Sequence, residues 1–253
     1  MFRARQAILM TIAAAMLTAT VSACEGSPKQ GTSASAATAG NPLKGLTSYQ
    51  IIQRAFVNTE ASVNVHVAGQ VTNSGKSTYI SDLALVNGGG NGCVGDLYQP
   101  GAGTFQLIYD GTTAWILPNP KYWQTMGASY VAAQPRIEGK YLQQIPGGPG
   151  LGSLTSLCSL STLVGSGPGP ARRTGFGQAT PTTVGTLPCL KITDIADGGY
   201  AIVSDTALPR LVAIVVPGQR NGRNFTLHYT ATQVTVAAPV TKEVVDEGTR
   251  YGL

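Results

Sequence analysis

The chain has 253 residues, a formal net charge of +5 and only 11% charged residues, against about a quarter in ordinary soluble domains. Its basic residues are scattered apart from Arg172-Arg173 and Arg220/Arg223, and no basic stripe alternates with aromatics, which excludes a nucleic-acid binder. Low charge, 32 glycines and many Val and Thr residues point instead to a β-rich extracytoplasmic protein.

The first element is a secretion leader, residues 1–23. Arg3 and Arg5 give it a positive start, Ala7 to Thr20 an apolar run, and Val21-Ser22-Ala23-Cys24 a lipoprotein cleavage box. The apolar run is too short to span a bilayer, which needs about 18–20 residues. Cleavage before Cys24 leaves a mature protein whose first thiol carries the lipid. Residues 24–45 are nearly all small or polar, and read as a flexible tether with a reach of about 25 Å. Residues 46–253 read as one domain. The expected location is the extracytoplasmic face of the cell membrane, held by the lipid on Cys24.

The domain opens with a helix over about 47–60. Thr47-Ser48-Tyr49-Gln50 is a capping box, Leu46 and Ile51 stand as its hydrophobic staple, and Tyr49, Ile52, Phe56 and Thr59 share one face. The period then falls to two. Val63, Val65, Val67 and Val71 predict a half-buried strand, and Asn73-Ser74-Gly75 a turn. Lys76 to Asn87 predicts a return strand, with Tyr79, Leu83 and Leu85 on one face and Ile80 and Val86 on the other. Strands over Cys93–Tyr98, through Phe105, Leu107 and Tyr109, and over Ala114–Leu117 complete a meander, with Asp110-Gly111 as a hairpin dipeptide.

Pro118-Asn119-Pro120 breaks the sheet. The spacing of Tyr122, Trp123, Met126 and Tyr130 predicts a helix over 121–132. Gly139 to Ile145 reads as a short strand. Leu154, Leu157, Leu160 and Leu163 predict short, partly 3₁₀ helical turns. Strands follow at about 171–178, 187–194, 199–204, 210–216, 223–230 and 232–237, and the tail after Pro239 reads as peripheral. Together these elements make an α+β, mainly β domain: a curved antiparallel sheet, or half-barrel, packed on a few helices.

Lipidation of Cys24 leaves Cys93, Cys158 and Cys189, an odd number that allows one bridge and one free thiol. Cys158–Cys189 is the favoured pair, closing a loop worth about 3.5 kcal/mol of chain entropy; Cys93 stays open as a partner for either.

Several motifs suggest enzymes and fail on context. Gly90-Asn91-Gly92-Cys93-Val94-Gly95 spells a dinucleotide fingerprint, but a strand rather than a helix is predicted after it. Gly75-Lys76-Ser77-Thr78 resembles the end of a phosphate loop, but position 70 is glutamine and the segment belongs to a hairpin. There is no Gly-x-Ser-x-Gly elbow. His66 and His228 read as solvated strand residues. The aspartates (Asp82, Asp96, Asp110, Asp194, Asp197, Asp205) lie mostly near turns that they cap. No Cys-x-x-Cys or histidine spacing suits a metal. The expectation is a non-enzyme without metal or cofactor.

The cleavage box, tether, opening helix and meander resemble the actinobacterial LppX/LprG-type lipoproteins and, more distantly, the LolA/LolB-type carriers. The likeness rests on Gly88 to Gly95, Ala102 to Ile108, Asp110-Gly111 with Trp115 to Pro118, Tyr122-Trp123, Gly139 to Leu142 and Leu187 to Ile192. It implies helices against the concave face of the sheet, with a cavity between them that accepts acyl chains. Ile52, Phe56, Val65, Val67, Leu83, Leu85, Phe105, Leu107, Trp123 and Met126 are the candidate cavity wall. The expected function is binding or carrying a lipid or other hydrophobic ligand. The alternative is a ligand-free interaction or scaffold domain of the envelope, with its Gly-rich loops as contacts.

Overall fold

In a computed structural model, the described residues are 42–86, 92–128, 131–132, 137–144, 152–165, 167–169, 174–218 and 221–246. The leader, Cys24 and nearly all of the tether lie outside them. Residues 39–253 form one compact unit.

Helix α1 (Ser48–Glu60) begins as its sequence requires. The Thr47 hydroxyl accepts from the Gln50 N–H, and the Gln50 side chain accepts from the Thr47 N–H. Tyr49, Ile51, Ile52, Ala55, Phe56 and Thr59 are its buried residues. Burial starts earlier, at Leu43, which is part of the core.

Among the described residues, twelve strands follow in one curved sheet. They are β1 (Asn64–Asn73), β2 (Lys76–Val86), β3 (Gly92–Gln99), β4 (Gly103–Tyr109), β5 (Ala114–Pro118) and β6 (Tyr141–Gln144), then β7 (Thr180–Val184), β8 (Leu187–Thr193), β9 (Tyr200–Ser204), β10 (Leu211–Val216), β11 (Arg223–Tyr229) and β12 (Val244–Asp246). Their order across the sheet is β12-β6-β5-β4-β3-β2-β1-β11-β10-β9-β8-β7. Every pair is antiparallel except β12 with β6. The β1–β2 hairpin turns through Ser74 (φ 50°) and Gly75 (φ 81°), the positive pair that a two-residue turn needs to match strand twist.

Helix α2 (Pro120–Met126) is capped by Asn119, whose side chain accepts from the Tyr122 N–H. It stops at Gly127 (φ 108°) rather than running unbroken to 132, because the chain there takes a conformation closed to other residues. The leucine-rich segment forms α3 (Gly152–Thr155), a 3₁₀ turn (Ser156–Cys158) and α4 (Leu160–Val164), as its spacing predicts. Leu154, Leu157, Leu160 and Leu163 all enter the core.

The structure corrects several expectations. Around 171–178 the described residues make only a bridge, Phe176 to Asp194, and the strand lies later, at β7. No strand forms over 232–237. The tail after Pro239 instead supplies β12 and buries Val245 against Leu142. Cys158 bonds to Cys93, not to Cys189, which is free and buried. The reason is topological: Cys93 faces inward from β3 under the helical layer that holds Cys158, while Cys189 lies on β8, far across the sheet.

The most consequential correction is in β2. Its pairing with β3 skips Ser81, between Ile80 opposite Leu97 and Asp82 opposite Asp96. This bulge switches the faces of the strand. Ile80 therefore joins Leu83 and Leu85 in the core, and Tyr79 turns outward to meet Tyr98 with ring centroids 5.8 Å apart. The strand thus has one core face, not two apolar ones. A matching irregularity in β1 falls at Gly69, where a Cβ would sit 2.0 Å from the Asn224 carbonyl oxygen, so only glycine fits.

Candidate functional site

The expected wall residues separate into two groups. Val65, Val67, Leu83, Leu85, Phe105 and Leu107 lie in the core and are at most 2% exposed. Rows of inward side chains run across the strands, for example Leu227, Val67 and Leu83, then Leu107, Ile116 and Leu142. The Tyr122 ring of α2 covers Phe105 at 4.9 Å. The side chains of Trp123 and Met126 lie outside the described residues.

Ile52 and Phe56 belong to a different setting. On the far side of β1 the helix α1 packs against β9 and β10, and there the core is not filled. A cavity of about 190 Å³ opens between Ile52 and Phe56 of α1, Val164 of α4, Ile192 of β8, Ala201 of β9 and Ile214 of β10. Phe176 closes one side and touches Tyr49, with ring centroids 6.4 Å apart. Asp194 and the exposed Asp197 line its solvent side. Residues of the second strand set therefore line a cavity where the meander residues were expected to line one. They were hidden in the sequence because an uninterrupted run such as Leu211–Val216 reads as ordinary core.

Arg223 lines the same cavity, placed by β11 between Val216 and Val71. Its guanidinium lies against Gly165, the cap of α4, where a Cβ would stand 2.7 Å from Nη1. Arg223 also lines a second cleft of about 360 Å³, between the β1–β2 hairpin and the helical turns, which includes Lys76, Asn73, Thr78, Gln99 and Asn221. The Ser74 N–H donates to Asn221 Oδ1 at 3.3 Å, fastening the hairpin tip across this cleft.

The enzyme-like features resolve as structure. Gly92 opens a strand, and Gln70 to Thr78 make the β1–β2 hairpin. His66 Nδ1 lies 2.9 Å from Asp82 Oδ1 on the outer face, with His228 opposite His66 across the ladder. Asp110 caps its own turn, accepting at one carboxylate oxygen from the Thr112 N–H, the Thr112 hydroxyl and the Thr113 N–H. Burial works to raise its pKa, but these hydrogen bonds prevail and hold it below the usual aspartate value. Burial pushes the Cys189 thiol up. Among the described residues no three His, Cys, Asp or Glu side chains converge as a metal would need.

No protein-family model matches the chain, and no curated protein matches it. Among solved structures, the chain is similar to the crystal structure of LprF from Mycobacterium bovis, with 15% sequence identity, a TM-score of 0.46, and coverage of 76% of this chain and 96% of that one.

Proposed function

We propose that this protein is an extracytoplasmic lipoprotein, anchored through Cys24, whose domain binds a small apolar segment of a hydrophobic ligand under α1. The supporting observation is the cavity at Ile52, Phe56, Ala201 and Ile214, lined by core side chains of α1, β9 and β10. An apolar cavity of about 150 Å³ stays dry and takes up benzene, so this one suits a ring or a short run of methylenes. Five or six buried methylenes contribute about 4–5 kcal/mol at most, a millimolar affinity for the tail alone. The anchor is supported by the leader and its cleavage box. Among the described residues no helix is long and apolar enough to cross a membrane.

The deep burial of the meander residues Val65, Val67, Leu83, Leu85, Phe105 and Leu107 favours a second reading, a ligand-free interaction domain. Organic extraction of the purified mature protein, followed by mass spectrometry, separates the two once the covalent anchor is set aside. A stoichiometric apolar co-purifying molecule, lost in Ala201→Trp, supports the ligand reading. An empty protein that takes up a naphthylamine dye no better than Ala201→Trp overturns it.

A further inference from the structure

We propose that Arg223 and Lys76 bind the acidic head group of a single-tailed amphiphile whose tail occupies the cavity under α1, an inference that rests on reading that cavity as an apolar-ligand site. Arg223 is common to both spaces. It lines the apolar cavity on one side and the polar cleft on the other. The cleft carries two cations, Lys76 and Arg223, with amide and hydroxyl groups from Asn73, Thr78, Gln99 and Asn221, and none of its described lining residues is acidic. Neither cation forms an ion pair among the described residues.

A partly buried arginine with no ion pair among the described residues is an unfavourable arrangement that an incoming anion relieves. Gly165 leaves open the space that the guanidinium occupies, since a Cβ there would stand 2.7 Å from Nη1. Its planar fork suits a phosphate or carboxylate, bound through two parallel N–H donors. Lys76, exposed on the hairpin, adds a mobile point charge. Asp194 and Asp197 line the same cavity from the β8–β9 side, with β9 and β10 between them and Arg223. Because Arg223 is shared by the two spaces, a tail under α1 places its head group at Arg223.

The test titrates octyl phosphate, octanol and inorganic phosphate into the mature protein in nonionic detergent micelles, with empty micelles as the blank. Octyl phosphate is expected to bind at least tenfold tighter than either of the others, and to weaken as salt rises. Arg223→Gln should shrink the preference for octyl phosphate over octanol to under threefold. Lys76→Gln, on an exposed hairpin position that leaves the core intact, should reduce it by a smaller factor. If neither variant changes the preference, the head-group assignment is wrong. If inorganic phosphate binds as tightly as octyl phosphate, the cleft takes free anions and the amphiphile is wrong. If octyl phosphate and octanol bind alike, only this inference fails; if neither binds, the apolar-ligand reading fails with it.

Discussion

Replacing Tyr229 by phenylalanine removes one oxygen and opens a closed ring of hydrogen bonds. The Tyr229 hydroxyl donates to the Leu211 carbonyl, which can only accept, so its contact with Thr59 Oγ1 at 3.0 Å must be donated by Thr59. The Thr59 oxygen in turn accepts from the Leu211 N–H at 2.9 Å. The ring therefore runs from Leu211 to Thr59 to Tyr229 and back to Leu211, tying the end of α1 to β10 and β11. Tyr229→Phe breaks two of its three bonds and leaves the Thr59 O–H without its acceptor. Two net bonds at about 1 kcal/mol each, with part of a desolvation penalty, put the loss at about 2–4 kcal/mol. Urea denaturation of wild type, Tyr229→Phe, Thr59→Val and the double variant measures it. The double variant should lose clearly less than the sum of the singles, because the groups form one network.

The same ring has an alkaline signature. Burial, working against the Thr59 hydrogen bond and nearby Arg210, pushes the Tyr229 pKa up to about 12 from 10.0. The folded state thus holds its proton where the unfolded chain releases it. That contribution, about 2–3 kcal/mol for a shift of this size, is complete below pH 10 and is lost as pH rises towards 12. The stability gap between wild type and Tyr229→Phe should narrow over that window. A gap under 0.5 kcal/mol at pH 7, as a rough threshold well below one net hydrogen bond, or one that stays constant to pH 12, would refute the reasoning.

Reducing Cys93–Cys158, or replacing both residues by serine, should destabilise the domain by about 4 kcal/mol, since the bridge spans 65 residues of chain. Alkylation in denaturant before reduction should label Cys189 alone among these three, and a label on Cys93 would contradict the pairing. Asp110→Ala should lower stability by about 1 kcal/mol at pH 7 through loss of its turn cap. Because the Asp110 pKa is lowered, that advantage is present above the ordinary aspartate value and fades as pH falls below it, which denaturation at pH 7 and pH 2–3 would show. Cys24→Ser should move the protein from the membrane fraction to the soluble one with its melting temperature unchanged, and a variant still bound to membranes would end the single-anchor proposal.

What the sequence determined by itself was mostly local. The capping box from Thr47 to Gln50, the Ser74-Gly75 turn and the leucine spacing of 154–163 each act within a few residues, so their structures follow from their neighbours alone. The mainly β, curved-sheet class was equally legible, because alternation and turns recur along the whole chain. The tertiary structure decided everything that depends on register and on distant partners. One extra residue at Ser81 moved Ile80 inward and Tyr79 outward, and alternation cannot reveal it, since a bulge reverses the period without changing the residue types. Cysteine pairing followed from which strand lay under the helical turns, and β12 from a parallel partner a hundred residues away. The cavity belongs to this second class. Ile52 and Phe56 carry no mark that separates them from Val65 or Leu83, because a void arises only where separate elements, here α1, α4, β8, β9 and β10, fail to meet.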